Sequence, residues 1–160
     1  MNEGLPVVLG NWNRSMVMLD FDEMSLDEVK YWCFLILNHF KLRGFAILES
    51  SRKEMKVTLP DFTYCFVRCN YLAVFDKSVS WERNVEIMNW ASLVCHSESL
   101  SKYVVMQCIK RSSTLRLSSK GDKPPPQLIY QYGSIDGKVR EFLETRELVL
   151  NILSSCSTSN

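Results

Sequence analysis

A strand, a capped helix and a second strand follow one another near the N-terminus and constrain the fold more than any other feature. Residues 15–22 are apolar and end in acids, which indicates a short strand. Ser25 and Glu28 have the spacing of a capping box, in which an N-cap hydroxyl and an acid three residues later open a helix. Apolar residues recur at helical spacing from there to Phe40, so a helix is predicted over 26–40, with Gly44 as its stop.

The segments after this helix complete an α/β pattern. Strands are predicted at 45–50 and 55–59, and a strand–helix–strand unit of this length favours a parallel pair with a right-handed crossover. Residues 61–75 are apolar and aromatic and fit a helix or a strand equally well. Further helices are predicted at 81–94, 100–110 and 138–153, and further strands at 114–118 and 127–132.

Length and composition indicate one domain over residues 1–160. A chain of 160 residues with 46% hydrophobic and 23% charged residues is typical of one globular unit. The expected fold class is α/β (α+β), a mixed β-sheet flanked by helices. Residues 1–14 are expected to be irregular or an edge segment, and residues 154–160 a frayed end.

The cysteines and the N-terminus favour a reducing compartment. The six cysteines lie in apolar runs without the spacing of a disulfide framework, so we expect reduced, buried thiols. The first residues, MNEGLPVVLG, lack the basic and apolar regions of a signal peptide. No apolar run reaches the roughly 18 residues of a membrane span. The predicted location is therefore the cytoplasm.

Two neighbouring acids at the end of the first strand are the first candidate for chemistry. Asp20 and Asp22 are two positions apart, so in a strand their side chains share one face, about 7 Å apart along the chain. Two such carboxylates repel each other unless a cation lies between them, and Mg²⁺ or Mn²⁺ takes oxygen ligands of this kind. The alternative is that these acids only end a strand.

Two basic segments are candidates for phosphate binding. Residues 49–57 contain hydroxyls and cations between two predicted strands, although a charged hairpin turn is the commoner meaning of such a segment. Residues 111–120 alternate leucines with polar groups, which predicts either a phosphate-binding Arg116 or a half-exposed strand. Although the net charge is only +1, positive charge gathers late in the chain, at Lys102, Lys110, Arg111, Arg116, Lys120 and Lys123.

The order of these segments resembles a known family. The run VMLDFDE, a helix, GFAILESSRKEMKV and later STLRLSSKGDKPPPQLIY are similar to the catalytic core of the archaeo-eukaryotic primase superfamily, in particular its small primase-polymerases of archaeal plasmids and viruses. The similarity covers roughly residues 15 to 132. It implies a primase-polymerase core, related to the RNA-recognition-motif fold, that acts in DNA replication.

The resemblance also implies site residues. Asp20 and Asp22 would be catalytic ligands of Mg²⁺ or Mn²⁺, with Asp76 or Glu86 as a possible third acid, for which Glu82 also competes. The nucleotide-binding residues would be Ser50, Arg52, Lys53, Lys56, Arg116 and Lys120. The family's histidine falls on Lys56, and its usual glycine on Glu54.

Three functions follow as hypotheses. The first is a metal-dependent nucleotidyltransferase that uses nucleoside triphosphates and nucleic acid. The second is a catalytically degenerate, nucleic-acid-binding or replication-associated protein on the same fold, which would bind DNA through the basic segment, including Lys110, Arg111 and Lys123. The third is a protein-interaction module that presents the proline loop 124–126 to a partner, for example a replication protein.

Overall fold

The computed structural model describes residues 8–157, with six strands and four helices in that part of the chain. The strands are β1 (Gly10–Asn13), β2 (Met16–Phe21), β3 (Gly44–Thr58), β4 (Thr63–Ser78), β5 (Ser113–Arg116) and β6 (Gln127–Gly133). The helices are α1 (Leu26–Phe40), α2 (Trp81–Cys95), α3 (Glu98–Lys110) and α4 (Lys138–Ser157). The predicted α+β class is confirmed.

The main sheet has the order β2-β4-β3-β6, and every neighbouring pair in it is antiparallel. A second sheet pairs β1 with β5, also antiparallel. Strands β2 and β3 run in the same direction, but β4 lies between them, so the predicted hydrogen-bonded parallel pair is wrong. The reason is that β3 and β4 are joined by a short turn, and a hairpin partner next in sequence is reached with little loss of chain entropy.

The β3–β4 hairpin is longer than the sequence pattern indicated. The strands predicted at 45–50 and 55–59 are one strand, because the charged residues between them pair with β4. The register shifts between Glu49 and Ser51, which leaves Ser50 as a bulge. The ambiguous segment 61–75 is strand, and the chain turns back through Pro60 and Asp61, residue types that favour turns.

Helix α1 begins and ends at the predicted residues, but its C-terminal cap is not the predicted one. Ser25 accepts from the backbone N–H of Glu28, and the Glu28 carboxylate accepts from the backbone N–H of Ser25. At the other end Lys41, with φ of 53°, is the left-handed cap in place of Gly44. Gly44 instead permits close approach to the next strand, since a Cβ there would lie 2.3 Å from the Ser134 carbonyl oxygen.

Ser25→Ala is expected to lower the free energy of unfolding by about 1 kcal/mol, because it removes the acceptor of the capping box. Urea denaturation followed by circular dichroism measures the change. Ser92→Ala, which alters a serine inside α2, is the matched control and should be near neutral, since alanine has the higher helix propensity. Equal losses in both variants would contradict a specific capping effect.

The main sheet separates two cores. One face packs against α1, α2 and α3 through residues that include Leu19, Phe45 and Phe75. The other face packs against β5 and α4, with Met18 and Leu48 among its residues. Side chains alternate along β2, so the two positions after Met18 on this second face are Asp20 and Asp22. The candidate acids therefore lie at the edge of the second core.

Both predicted irregular ends are partly ordered. Residues 10–13 form β1, which agrees with an edge segment, while residues 1–7 lie outside the described part of the chain. Helix α4 continues to Ser157, so the expected fraying from residue 154 is wrong up to that point; residues 158–160 are not described.

The exposure of the cysteine thiols and the apolarity of the helices can be compared with the predictions made from the sequence. All six cysteines are free, but Cys33 alone is fully enclosed, and Cys65 and Cys156 are exposed, so the expectation of buried thiols is wrong for these two. Within residues 8–157, no helix combines the length and the apolarity that crossing a bilayer requires.

Candidate metal and phosphate site

The paired aspartates lie in a cavity of about 350 Å³ at the end of β2. Asp20 is opposite Leu72 of β4, and Asp22 follows the strand directly. Both line the cavity, as their spacing of two residues predicts. Neither carboxylate makes a hydrogen bond or an ion pair within the described residues. The acids are therefore available to a ligand.

Cations from three elements line the same cavity. Lys110 is the last residue of α3, Arg116 the last of β5, and the loop after β5 supplies Lys120 and Lys123. Ser50, at the bulge of β3, completes the set. The structure thus brings together these predicted site residues: Asp20, Asp22, Ser50, Lys110, Arg116, Lys120 and Lys123.

Arg116 holds the loop that carries the lysines. Its guanidinium donates to the carbonyl oxygens of Ser118 at 2.5 Å and Pro124 at 2.8 Å, and also to that of Ser50. Arg146 fixes the end of the proline run by donating to the Pro126 carbonyl at 2.6 Å. These contacts position the loop against the bulge of β3, so Arg116 contributes its charge to the cavity while its donors are largely occupied.

The carboxylates are held in an unfavourable environment for charge. Burial raises the pKa of Asp20 to about 7, with a further contribution from the negative charge of Asp22, while Lys123 and Arg116 act in the opposite direction. Burial also raises the pKa of Asp22, against the effect of Lys123. A bound cation would stabilise both charged forms.

The donor set fits a hard divalent ion. Mg²⁺ is commonly bound by one or two carboxylates, with water and substrate phosphate oxygens completing its octahedral shell. Asp20 and Asp22 supply the two carboxylates, and the surrounding lysines would attract the phosphates. Within residues 8–157, no group of three or more His, Cys, Asp or Glu side chains is arranged to hold a metal. The two aspartates therefore suit a metal ion whose remaining ligands are water and the phosphate oxygens of a bound substrate.

The structure does not bring the proposed third acids to the cavity. Asp76 is fully buried on β4 and accepts from the backbone N–H groups of Gly137 at 3.1 Å and Val139 at 2.9 Å, at the start of α4. Glu86 lies on α2, where it pairs with Arg83 at 2.6 Å. Both acids are thus engaged elsewhere.

Other predicted residues lie beside the cavity or away from it. Arg52 and Lys53 line an adjoining cavity of about 350 Å³, which shares Asn70 and Lys123 with the first. Lys56 is farther out on the exposed hairpin, opposite Cys65, because the segment is a strand and not a turn. Arg111 is the left-handed cap of α3, with φ of 56°, and does not line the cavity.

Sequence reasoning missed Asn70, Tyr103 and Gln107, which also line the cavity. The Tyr103 hydroxyl donates to the Met18 carbonyl at 3.0 Å, which joins α3 to β2 behind the acids. Tyr103, Gln107 and Lys110 are spaced by four and three residues, a helical pattern of polar tips that could have identified them. Asn70 is brought in by strand pairing alone.

No protein-family model, curated protein or solved structure matches this chain. The likeness to the primase superfamily stays a prediction from the quoted sequence segments. What the chain does is therefore inferred from the cavity at the end of β2 and from the charges that surround it.

Proposed function

We propose that the chain is a metal-dependent nucleotidyltransferase of the primase or polymerase kind. One observation carries the proposal: two carboxylates that pair with no described residue line the same cavity as four cationic side chains. Acids of this kind suit a divalent ion, and the cations suit a polyphosphate, so a metal–triphosphate complex matches both parts. A neutral ligand would neutralise neither the carboxylates nor the cations.

Each group would contribute by position and charge. Asp20 and Asp22 would hold Mg²⁺ or Mn²⁺, which when bound supplies charge neutralisation of the phosphates and activation of an attacking hydroxyl. Lys120 and Lys123 would bind the triphosphate, and Arg116 would keep their loop in place. Phosphoryl transfer depends mainly on such positioning and electrostatic stabilisation.

The wider setting of the proposal comes from the family resemblance. A small primase-polymerase would act in the replication of a plasmid or virus, in the cytoplasm, and would use nucleic acid as template. Replication proteins would be natural partners.

Binding of a Mn²⁺–nucleotide complex tests the site directly. In Asp20→Asn and Asp22→Asn we expect the affinity for a fluorescent nucleoside triphosphate with Mn²⁺ to fall about a hundredfold, because each change removes a charged ligand. Incorporation of labelled nucleotide on a single-stranded template should be lost in the same variants. The matched control is Asp27→Asn, an exposed acid in the first turn of α1.

Two results would contradict the proposal. Wild-type protein that binds no nucleotide with either metal would remove the site, and equal binding by Asp20→Asn and Asp27→Asn would remove the ligand role of Asp20. Comparable thermal unfolding of the variants excludes misfolding as the cause of any loss.

A second candidate is a nucleic-acid-binding protein without catalysis. The absence of a third acid in the cavity, among the described residues, favours it. This candidate predicts salt-dependent DNA binding that weakens when Lys110, Lys120 and Lys123 become glutamine and is unchanged in Asp20→Asn. DNA binding together with nucleotide incorporation would exclude it, while DNA binding alone would favour it over the enzyme.

A further inference from the structure

The β3–β4 hairpin continues beyond the rest of the sheet as a two-stranded arm. β2 pairs with β4 only as far as Tyr71, and β6 pairs with β3 only as far as Glu49. We call residues 51–70 the arm. Most of its side chains are exposed, which is unusual for a ribbon with this many apolar residues, since isolated two-stranded ribbons are marginally stable in water.

One face of the arm is aromatic and basic. Cross-strand pairing places Tyr64 opposite Val57, Phe66 opposite Met55, and Arg68 opposite Lys53, and alternation puts these pairs on the same face. Tyr64 is 51% exposed and Phe66 is 37% exposed. Their ring centroids are 5.6 Å apart, with the planes inclined by 30°, so together they form an open, nearly continuous aromatic surface.

This face leads to the acidic cavity. β4 alternates without interruption from Tyr64 through Arg68 and Asn70 to Leu72, so these residues face the side on which the candidate site lies. Asn70 and Lys123 line both the cavity with the paired acids and the adjoining one, which also includes Lys53 and Arg68. Four polar or basic side chains, Lys53, Arg68, Asn70 and Lys123, therefore lie between the aromatic rings and Asp20, and the acids Glu23 and Asp122 line the adjoining cavity with them.

We propose that this aromatic face of the arm binds a single strand of nucleic acid and guides it towards the paired acids. Bases would stack on Tyr64 and Phe66, and phosphates would contact Lys53, Arg68 and Lys123. Guidance of the strand towards the cavity rests on the proposed function. Binding of the strand to the arm requires neither metal nor nucleotide.

The charges favour this occupant over an apolar protein surface. A partner that buried Met55, Val57 and the two rings alone would leave Lys53 beside its edge, where it has no ion pair with a described residue, whereas a phosphate backbone supplies negative charges at regular spacing. Arg68 also pairs with Glu23 at 2.6 Å, but both side chains are about half exposed, at 47% and 61%, so the pair opens at little cost.

The test measures fluorescence anisotropy of labelled oligothymidylate and oligouridylate in EDTA, which removes any contribution of a metal site. The variant Tyr64→Leu with Phe66→Leu keeps apolar side chains but removes the rings, and we expect its affinity to fall about tenfold or more. Tyr31→Ala, which removes an exposed ring on α1, is the matched control and should bind like the wild type. Lys53→Gln should reduce the salt dependence by about one counterion.

The outcomes separate this inference from the proposed function. Loss of oligonucleotide affinity in the leucine variant, with binding retained in Asp20→Asn, supports the arm. Unchanged affinity in the leucine variant, or no binding by the wild type, overturns it, even if nucleotide binding at the acids is found. A wild-type dimer that the leucine variant loses, with no oligonucleotide bound to the wild type, would assign the arm to self-association and would also overturn the inference. Thermal unfolding confirms that the leucine variant is folded.

Discussion

Asp76→Ala is expected to lower the free energy of unfolding by about 2–4 kcal/mol, because it removes a buried acceptor of two backbone hydrogen bonds. Asp76 is fully buried, and its carboxylate accepts from the backbone N–H groups of Gly137 and Val139. Gly137 directly precedes α4 and Val139 lies in its first turn, where N–H groups have no partner within the helix. The alanine variant would leave the buried N–H of Val139 unsatisfied and would remove the partner of the more exposed Gly137 N–H.

The position of the Asp76 carboxylate at a helix N-terminus adds to the stability that its hydrogen bonds provide. The positive end of the α4 dipole stabilises a negative charge there, and Asp76 makes no ion pair with any described residue. Gly137 allows the close approach, since a Cβ at that position would lie 2.9 Å from Asp76 Oδ1. The acid therefore ties α4 to the main sheet, and its loss should release the N-terminal part of α4.

Urea denaturation of the wild type and of two variants measures this contribution. Asp76→Asn keeps one oxygen acceptor and should lose about half as much stability as Asp76→Ala. Asp61→Ala, in the exposed turn of the arm, should stay within about 0.5 kcal/mol of the wild type. A loss below about 1 kcal/mol for Asp76→Ala would contradict the capping role.

Asp76 also shows where sequence reasoning failed. The family resemblance makes Asp76 a candidate third metal ligand, but its carboxylate accepts from the start of α4 instead. Its partners are 61 and 63 residues away in sequence, and only the packing of α4 on β4 brings them together. Local sequence patterns cannot predict that contact, because helix and strand periodicity relate only residues that are close in sequence.

Local rules succeeded where the interaction itself is local. The capping box of Ser25 and Glu28 marked the start of α1, and the spacing of Asp20 and Asp22 led to two acids in one cavity. The length of β3 could not be predicted, because its charged middle pairs with β4 in a non-local contact. The cavity's cations come from α3, β5 and a loop, so their convergence is likewise a tertiary property.

Asp20→Asn is expected to stabilise the protein at neutral and higher pH, even though it should weaken binding of the Mn²⁺–nucleotide complex. The ordinary pKa of an aspartate, 3.8, applies in the unfolded chain, whereas the pKa of Asp20 in the folded chain is about 7. The folded state therefore holds a proton that the unfolded state has released, and stability falls as the pH rises from about 4 to about 7. Above that window the full cost, on the order of 4 kcal/mol, is present.

The groups that face Asp20 support this sign. Asp22 adds negative charge and raises the pKa further, while Lys123 and Arg116 lower it without cancelling the effect of burial. Tyr103 lies behind the acids as a donor to backbone carbonyls and supplies no positive charge. The amide of asparagine has nearly the same shape and no charge, so the variant should gain at most the few kcal/mol that the ionised carboxylate costs.

Chemical denaturation in EDTA, repeated between about pH 4 and pH 8, checks the prediction. The stability of Asp20→Asn relative to the wild type should rise through this range. A constant difference across the range would contradict a raised pKa at Asp20.

Added Mn²⁺ should then raise the unfolding temperature of the wild type at the upper pH but not that of Asp20→Asn, because a cation that binds the folded state recovers the electrostatic cost of the paired acids. Such stabilisation of the wild type by Mn²⁺ would show that the charges that destabilise the free protein are those that bind the metal. The cost in stability would then be part of the function of the site.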